Sequence, residues 1–446
     1  MNLQMAMAAA LAACGISASV TTHGSVLDVR SMGAVGDGVQ LNTRAIQRAI
    51  DACPAGGTVH IPKGEFLTGA LTLKSDMALE LADGAVLKGS ANASDYPVSD
   101  WWFEGRAPES CYASLLSTPA SGVSNLVIRG KGVVDGNGSD LLVAEERVEK
   151  KGKRGRLLAI ANSRNVRLEG VTFRHSPCWC LHLYGCDDVV IDGVTVRTLE
   201  DERGSRYRYI HNGDGIDLDS CRRVVVKGCR IFSQDDCIAV KSGRGEWGRR
   251  TARPSEDIEV FNTHFGSGLA MAVGSEMSGG VKRLRVHDCT FTNVRSIVSV
   301  KTCRGRGGVL EDMTFERLKG TTAGSGWRRR KAHNGALQVS FFYYDESDVS
   351  VACPIDEGTP RISNVVFRDI ECEDPYGWAI CVLGLPEAPI EGLTFERVMA
   401  RGLMGMRAVN LRNLVMRDCL VERHQGKRYV LENVTWSSKV EKPGLE

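Results

Sequence analysis

"DDVVIDGVTVRT" (Asp187–Thr198) and "RRVVVKGCRIFS" (Arg222–Ser233) decide the fold. In each, an alternating apolar run meets a glycine and a second, shorter run follows. Period-two alternation puts successive side chains on opposite faces of a strand, and glycine supplies the bend between strands. Each phrase therefore predicts two short strands around a corner. The phrase recurs as "RNVRLEGVTFRH" (Arg164–His175), "VKRLRVHDCTFTN" (Val281–Asn293), "GVLEDMTFERL" (Gly308–Leu318) and "ISNVVFRDIECE" (Ile362–Glu373). Val166, Val189, Val224, Ile258, Leu284 and Leu310 mark matching places, at intervals of 23, 35, 34, 26 and 26 residues.

One such unit cannot bury its apolar face alone, so recurrence predicts stacking into a solenoid. Variable intervals fit a regular coil with irregular loops. A propeller would need four strands per blade, so the expected class is all-β, a parallel β-helix. Its open end needs a cover. "LNTRAIQRAIDAC" (Leu41–Cys53) predicts an N-terminal capping helix, with Asn42 or Thr43 as N-cap and Ala45, Ile46, Ala49 and Ile50 on one face. Residues 25–438 read as one domain, followed by a polar tail at 439–446.

The bulk numbers describe an ordinary globular protein: 446 residues, 43% hydrophobic, 25% charged. A net charge of +2 argues against a strongly basic nucleic-acid binder. No run approaches the roughly 20 apolar residues of a membrane-spanning helix. Residues 1–24 resemble an export signal, and "LAAC" ending at Cys14 resembles a lipoprotein processing box. The expectation is a secreted or periplasmic monomer, lipid-anchored in the second case. Fifteen cysteines are many, yet no paired CxxC zinc site occurs and Cys178 and Cys180 form only CxC. The thiols read as core filling or stacked ladders, and no metal or cofactor is expected.

Two further stretches carry chemistry. "HNGDGIDLDS" (His211–Ser220) and "QDDCIAVKSG" (Gln234–Gly243) place Asp214 and Asp235 21 residues apart, close to one coil, with Asp236 adjacent. Coils stack about 4.8 Å apart, so equivalent positions bring carboxylates together. Close carboxylates separate one another's pKa values, giving one group that holds a proton and another that stays ionised. Glycosidic cleavage needs that division. The competing reading makes these acids plain turn residues. Adjacent strand residues also face opposite ways, so Asp235 and Asp236 share a cleft only if the chain bends there.

The two stretches resemble glycoside hydrolase family 28, the polygalacturonase-like pectinases, with its N-T-D-G-[IF]-D and G-D-D-C-[IV]-A-[IV]-K-S-G signatures. "DVRSMGAVGDG", "GGTVHIPKGEFLTG", "SPCWCLHLYGCDDVVIDGV" and "GSEMSGGV" extend the likeness over most of the chain. The resemblance implies a right-handed parallel β-helix and inverting hydrolysis of an acidic plant-type polysaccharide or oligosaccharide. It implies Asp235 as general acid, Asp214 and Asp236 as the pair that activates water, and Asn212 and Lys241 as supporting residues. Asp217 and Asp219 are expected to satisfy backbone and turn groups.

Two motifs depart from the family. G-H-G reads Gly266-Ser267-Gly268, and R-I-K reads Ser299-Val300-Lys301. His264 and His211 are the candidates to replace the missing histidine. Losing the arginine removes a bidentate carboxylate partner while Lys301 keeps a point charge, which implies a divergent pectin-type substrate. Arginine-rich loops at Glu202–Tyr209, Gly243–Pro254 and Gly326–His333 offer compensation, with Trp247 or Trp327 as a sugar-stacking surface. Tyr343 or Tyr344 resembles the family's active-site tyrosine, and Trp101 and Trp102 serve as well for packing. A polysaccharide lyase and a catalytically inactive carbohydrate-binding β-helix are the alternatives.

Overall fold

Between Leu158 and Phe232 the chain makes three successive coils of three short strands each. The first holds β1 (Leu158–Ala161), β2 (Arg164–Glu169) and β3 (Thr172–Arg174). The second holds β4 (Leu181–Tyr184), β5 (Asp187–Asp192) and β6 (Thr195–Arg197). The third holds β7 (Ile216–Asp219), β8 (Arg222–Lys227) and β9 (Arg230–Phe232). Every strand pairs in parallel with its counterpart one coil on, and Val166, Val189 and Val224 stack in register as the repeat implied. The fold is a parallel β-helix. The sequence phrases captured two strands per coil. The third strand includes "IDLD", inside the first acid stretch.

This computed structural model describes residues 24–145, 152–198, 210–251, 253–323, 335–343 and 348–438. They form two compact units: residues up to 103 with 107–235, and 104–106 with the residues from 236 onward. In the second unit, β10 (Asp236–Lys241), β11 (Leu269–Val273), β12 (Ser296–Lys301) and β13 (Gly335–Ser340) stack in parallel, with Val240, Val273, Val300 and Val339 in one row. One expected equivalence shifts here: Leu284 lies opposite Met313, and Leu310 opposite Val281. Inside this unit Phe315, Phe367 and Phe395 stack at centroid spacings of 5.2 and 5.1 Å, a column in which each ring fills the offset left by the last.

The coil corners are built from left-handed residues. Asp76, Asn125, Asn165, Asp188 and Arg223 all have φ between 54° and 57°. Their side chains link coil to coil: Asn125 donates to Asp76 at 2.6 Å, Asn165 to Asn125 at 2.7 Å, and Arg223 to Asp188 at 2.6 Å. The second unit repeats the device with Asp257, Arg283, Asp312 and Asn364. Asn and Asp tolerate this conformation because a short polar side chain can hydrogen-bond locally. Elsewhere only glycine fits: at Gly130, φ is 124° and a Cβ would sit 2.0 Å from the Leu81 carbonyl oxygen.

The capping helix α1 (Thr43–Ala52) buries Ala45, Ile46, Ala49 and Ile50 as expected. Neither candidate caps it through its side chain. The Asn42 amide instead pins the preceding loop at Val35 and Gln40, and the Thr43 hydroxyl accepts the Gly69 N–H. The fourteen described cysteines are free thiols, mostly buried. Burial pushes Cys229, Cys372 and Cys381 up to about 12, which leaves them unreactive packing groups. Among the described residues no helix is long and apolar enough to cross a membrane. The N-terminal export stretch before residue 24 and the tail at 439–446 lie outside the described residues.

Candidate active site

In the first unit the two acid stretches meet at one carbonyl. The Gly213 oxygen accepts the N–H groups of Gln234 and Asp235, each at 3.2 Å, and the Thr198 hydroxyl at 2.6 Å. Asp214, 3% exposed, follows Gly213 directly, and its own carbonyl accepts the Cys180 N–H at 2.9 Å. The Ser233 hydroxyl donates to the Asp235 carbonyl at 2.8 Å. Asn212 turns the chain with φ of 57° and accepts Arg154 at 3.2 Å, while His211 is exposed and gives its carbonyl to the same guanidinium. That guanidinium also donates to the Pro177 carbonyl at 2.9 Å.

Asp214, Asp235 and Asp236 are absent from the left-handed corners that Asp188, Asp257 and Asp312 occupy. The corner acids are the turn residues. The bend required between Asp235 and Asp236 is present, because the chain bends at Gln234 and Asp235 before β10 begins. Asp217 and Asp219 are not turn residues either. Both are fully buried on β7, in register with His182 and Tyr184 of β4.

Within the second unit, two lysines and an arginine face buried carboxylates. Lys301 Nζ lies 2.9 and 2.7 Å from the two oxygens of Asp236, and both side chains are about as buried as the core: 5% and 4% exposed. The same ammonium stands 5.0 Å above the Tyr343 ring. Tyr343 is held through its N–H to the Thr302 carbonyl, next to Lys301. Lys241, at the end of β10, faces Glu276 at 3.4 Å, and Arg306 approaches the other oxygen of that carboxylate at 3.6 Å. Burial would push Glu276 upward, but Lys241, Arg306 and Lys301 overcome it and hold the carboxyl at about 2. Ser267 is part-buried and its carbonyl accepts the Cys237 thiol; Ser299 sits inside β12 between Ala272 and Gln338. His264 is engaged with the Thr290 hydroxyl at 3.0 Å.

Three described arginines of the 243–254 loop pair with glutamates of the protein itself. Arg244 pairs with Glu104 at 3.1 Å, Arg249 with Glu357 at 3.6 Å, and Arg250 with Glu246 at 2.7 Å. The last is an exposed pair and weak. Trp247 is 37% exposed, whereas Trp101 is buried and Trp102 stacks on Tyr184 at 4.1 Å. The loops at 202–209 and 326–333, with Trp327, and Tyr344 lie outside the described residues. Sequence reasoning missed Glu276 and Arg306. A charge flanked by small residues in "VGSEMSGG", at the end of a buried strand, was the available signal.

A buried carboxylate–histidine pair also stands in the first unit. Asp135, 3% exposed, accepts His175 Nδ1 at 3.0 and 3.1 Å and Arg174 at 2.7 Å. Burial alone would raise its carboxyl; His175 and Arg174 lower it to about 2. A depressed carboxyl contributes stability that is full above its unfolded value and fades as pH falls through the folded one. With 1.36 kcal/mol per unit, Asp135→Asn should cost about 2 kcal/mol at pH 7 in urea unfolding. The gap to the wild type should narrow below pH ~4 and close near pH ~2; a gap constant to that pH would contradict the assignment.

The model of the glycosyl hydrolases family 28 matches residues 54–324. A probable polygalacturonase of Vitis vinifera is 30% identical over 383 residues, 82% of this chain and 72% of that protein. An exo-poly-alpha-D-galacturonosidase of Dickeya chrysanthemi is 31% identical over 340 residues, 67% of this chain but only 56% of its own length. Among solved structures, a family 28 exopolygalacturonase of Yersinia enterocolitica superposes with a TM-score of 0.76 at 21% identity, covering 94% of this chain and 79% of that one. At that identity the likeness is one of fold.

Proposed function

This chain belongs to the glycosyl hydrolases family 28, and from that membership we propose that it hydrolyses glycosidic bonds of a pectin-type, uronate-containing glycan with inversion. One observation supports the reading most: the Gly213 carbonyl accepts the N–H groups of Gln234 and Asp235 and so holds the Asp214 and Asp235 stretches together. In this reading Asp235 gives its proton to the leaving oxygen as the glycosidic C–O bond breaks. Water attacks the anomeric carbon from the other side and passes a proton to the Asp214 and Asp236 pair. Asp235 ends ionised and the base protonated, and solvent exchange resets both.

Lys301, beside Asp236 and over Tyr343, is assigned to the substrate carboxylate, with Lys241, Asn212 and Ser267 as supporting residues in this reading. Ser299 leaves that grip with a point charge instead of a guanidinium fork. A polymeric acidic glycan is met outside the cytoplasm, which accords with the export-like start of the chain. The test is a panel of oligogalacturonides and branched pectin fragments, read for new reducing ends and for ultraviolet absorbance. Reducing ends without absorbance are the expected result. An absorbing, unsaturated product would mean a lyase, and binding without turnover would mean an inactive β-helix.

A further inference from the structure

Glu276 has no part in the acid–base scheme, yet it is a charged side chain held mostly out of solvent. Its side chain is 12% exposed. Its Oε2 lies 3.4 Å from Lys241 Nζ, and its Oε1 lies 3.6 Å from Arg306 Nη2 and accepts the Ser275 hydroxyl at 3.0 Å. The backbone adds a clamp, because the Glu276 carbonyl accepts the Ser242 N–H at 2.7 Å, one residue beyond Lys241. Arg306 Nη2 also reaches the Ser275 hydroxyl at 3.4 Å. The carboxylate is thus joined to the end of β10, to its own turn and to the loop after β12.

Lys301 connects this cluster to the site. It binds Asp236 through both oxygens, and it also acts electrostatically on Glu276. The charge of Glu276 offsets part of the positive field that Lys241, Lys301 and Arg306 would otherwise direct at Asp236. A carboxylate under a stronger cationic field is a weaker base.

We propose that Glu276 is a positioning residue that holds Lys241 in place and moderates the grip of Lys301 on Asp236, so that Asp236 stays basic enough to take a proton from water. The proposal rests on the family 28 hydrolase reading, and it extends that reading to a residue outside the acid motifs.

The experiment is Glu276→Gln, with Glu276→Asp as the conservative partner, assayed on trigalacturonate across pH. Removing the anion favours ionised Asp236. The acid limb of kcat/KM should move to lower pH by about one unit, and kcat at the optimum should fall on the order of 10-fold. Glu276→Asp should restore most of both. A second arm needs no turnover: the carboxyl carbon of Asp236, followed by NMR in labelled protein, should titrate lower in Glu276→Gln than in the wild type. If Glu276→Gln does not fold, the same comparison is made with Glu276→Asp, which should show a smaller shift of the same sign. Loss of stability with the acid limb and the Asp236 titration unmoved would overturn the proposal. If the wild type does not cleave the oligosaccharide, the hydrolase reading fails, while the NMR arm still decides the coupling.

Discussion

Asp235→Asn should fold as the wild type does and lose on the order of 10³-fold in kcat on a natural oligogalacturonide. The fold should survive because two contacts that place this residue run through its backbone: its N–H to Gly213 and its carbonyl from Ser233. An amide is nearly the same size as a carboxyl, and the site is part-exposed. What the amide cannot do is protonate a departing sugar oxygen. The assignment has a sharper consequence with a 4-nitrophenyl glycoside, whose leaving group needs little protonation. On that substrate Asp235→Asn should lose far less, about 10-fold, whereas Asp214→Asn and Asp236→Asn should lose equally on both. Equal losses for Asp235→Asn on the two substrates would remove it from the general-acid role.

The largest effect on stability is expected from Lys301→Met. Lys301 and Asp236 are paired at 2.7 Å with side chains 5% and 4% exposed. Removing one partner leaves an uncompensated buried charge, a loss of about 3–5 kcal/mol. The pH dependence follows from the sign. Without its cation, folded Asp236 favours its protonated form more than the unfolded chain does. The deficit is then full at neutral pH and shrinks as acid protonates the carboxyl. The acid limb of the rate profile should rise in pH, opposite to the shift expected for Glu276→Gln. Adding Asp236→Asn to Lys301→Met should recover part of the stability. Urea unfolding at several pH values checks all of this, and a deficit under about 1 kcal/mol would mean the pair contributes little.

The coil was legible because the physics that sets it is local. Period-two burial and corner residues that accept left-handed φ leave marks in adjacent positions, so Val166, Val189 and Val224 could be aligned by eye and do stack. Register failed where those marks blur. In Val281–Val294 the left-handed corners are Arg283, Asp288 and Asn293, with no glycine, and Leu284 was matched three residues away from its partner Met313. The third strand stayed hidden because "IDLD" carries acids at buried positions, and Asp217 and Asp219 are opposed by His182 and Tyr184 instead of by water. The acid stretches were legible as motifs, from a fixed local spacing. Glu276 and Arg306 were not, since 30 residues separate them and only the fold brings them to one another. In the 243–254 loop, Arg244 and Arg249 face Glu104 and Glu357, partners that no sequence spacing announces.

The left-handed corner columns bear on how this chain can change length. Corner side chains reach to the matching corner of an adjacent coil, as Asn165 does to Asn125 and Arg223 to Asp188. Inserting a whole coil that carries its own Asn or Asp corner replaces one such link with two, and the rows on either side stay aligned. Inserting a fraction of a coil puts every following strand out of step and turns its apolar face to water. Gene-level insertions and deletions should therefore survive in two sizes: complete turns, or any length confined to the loops between strands. The uneven spacing of the repeat, set against an even spacing of its rungs, is the record that such a rule would leave.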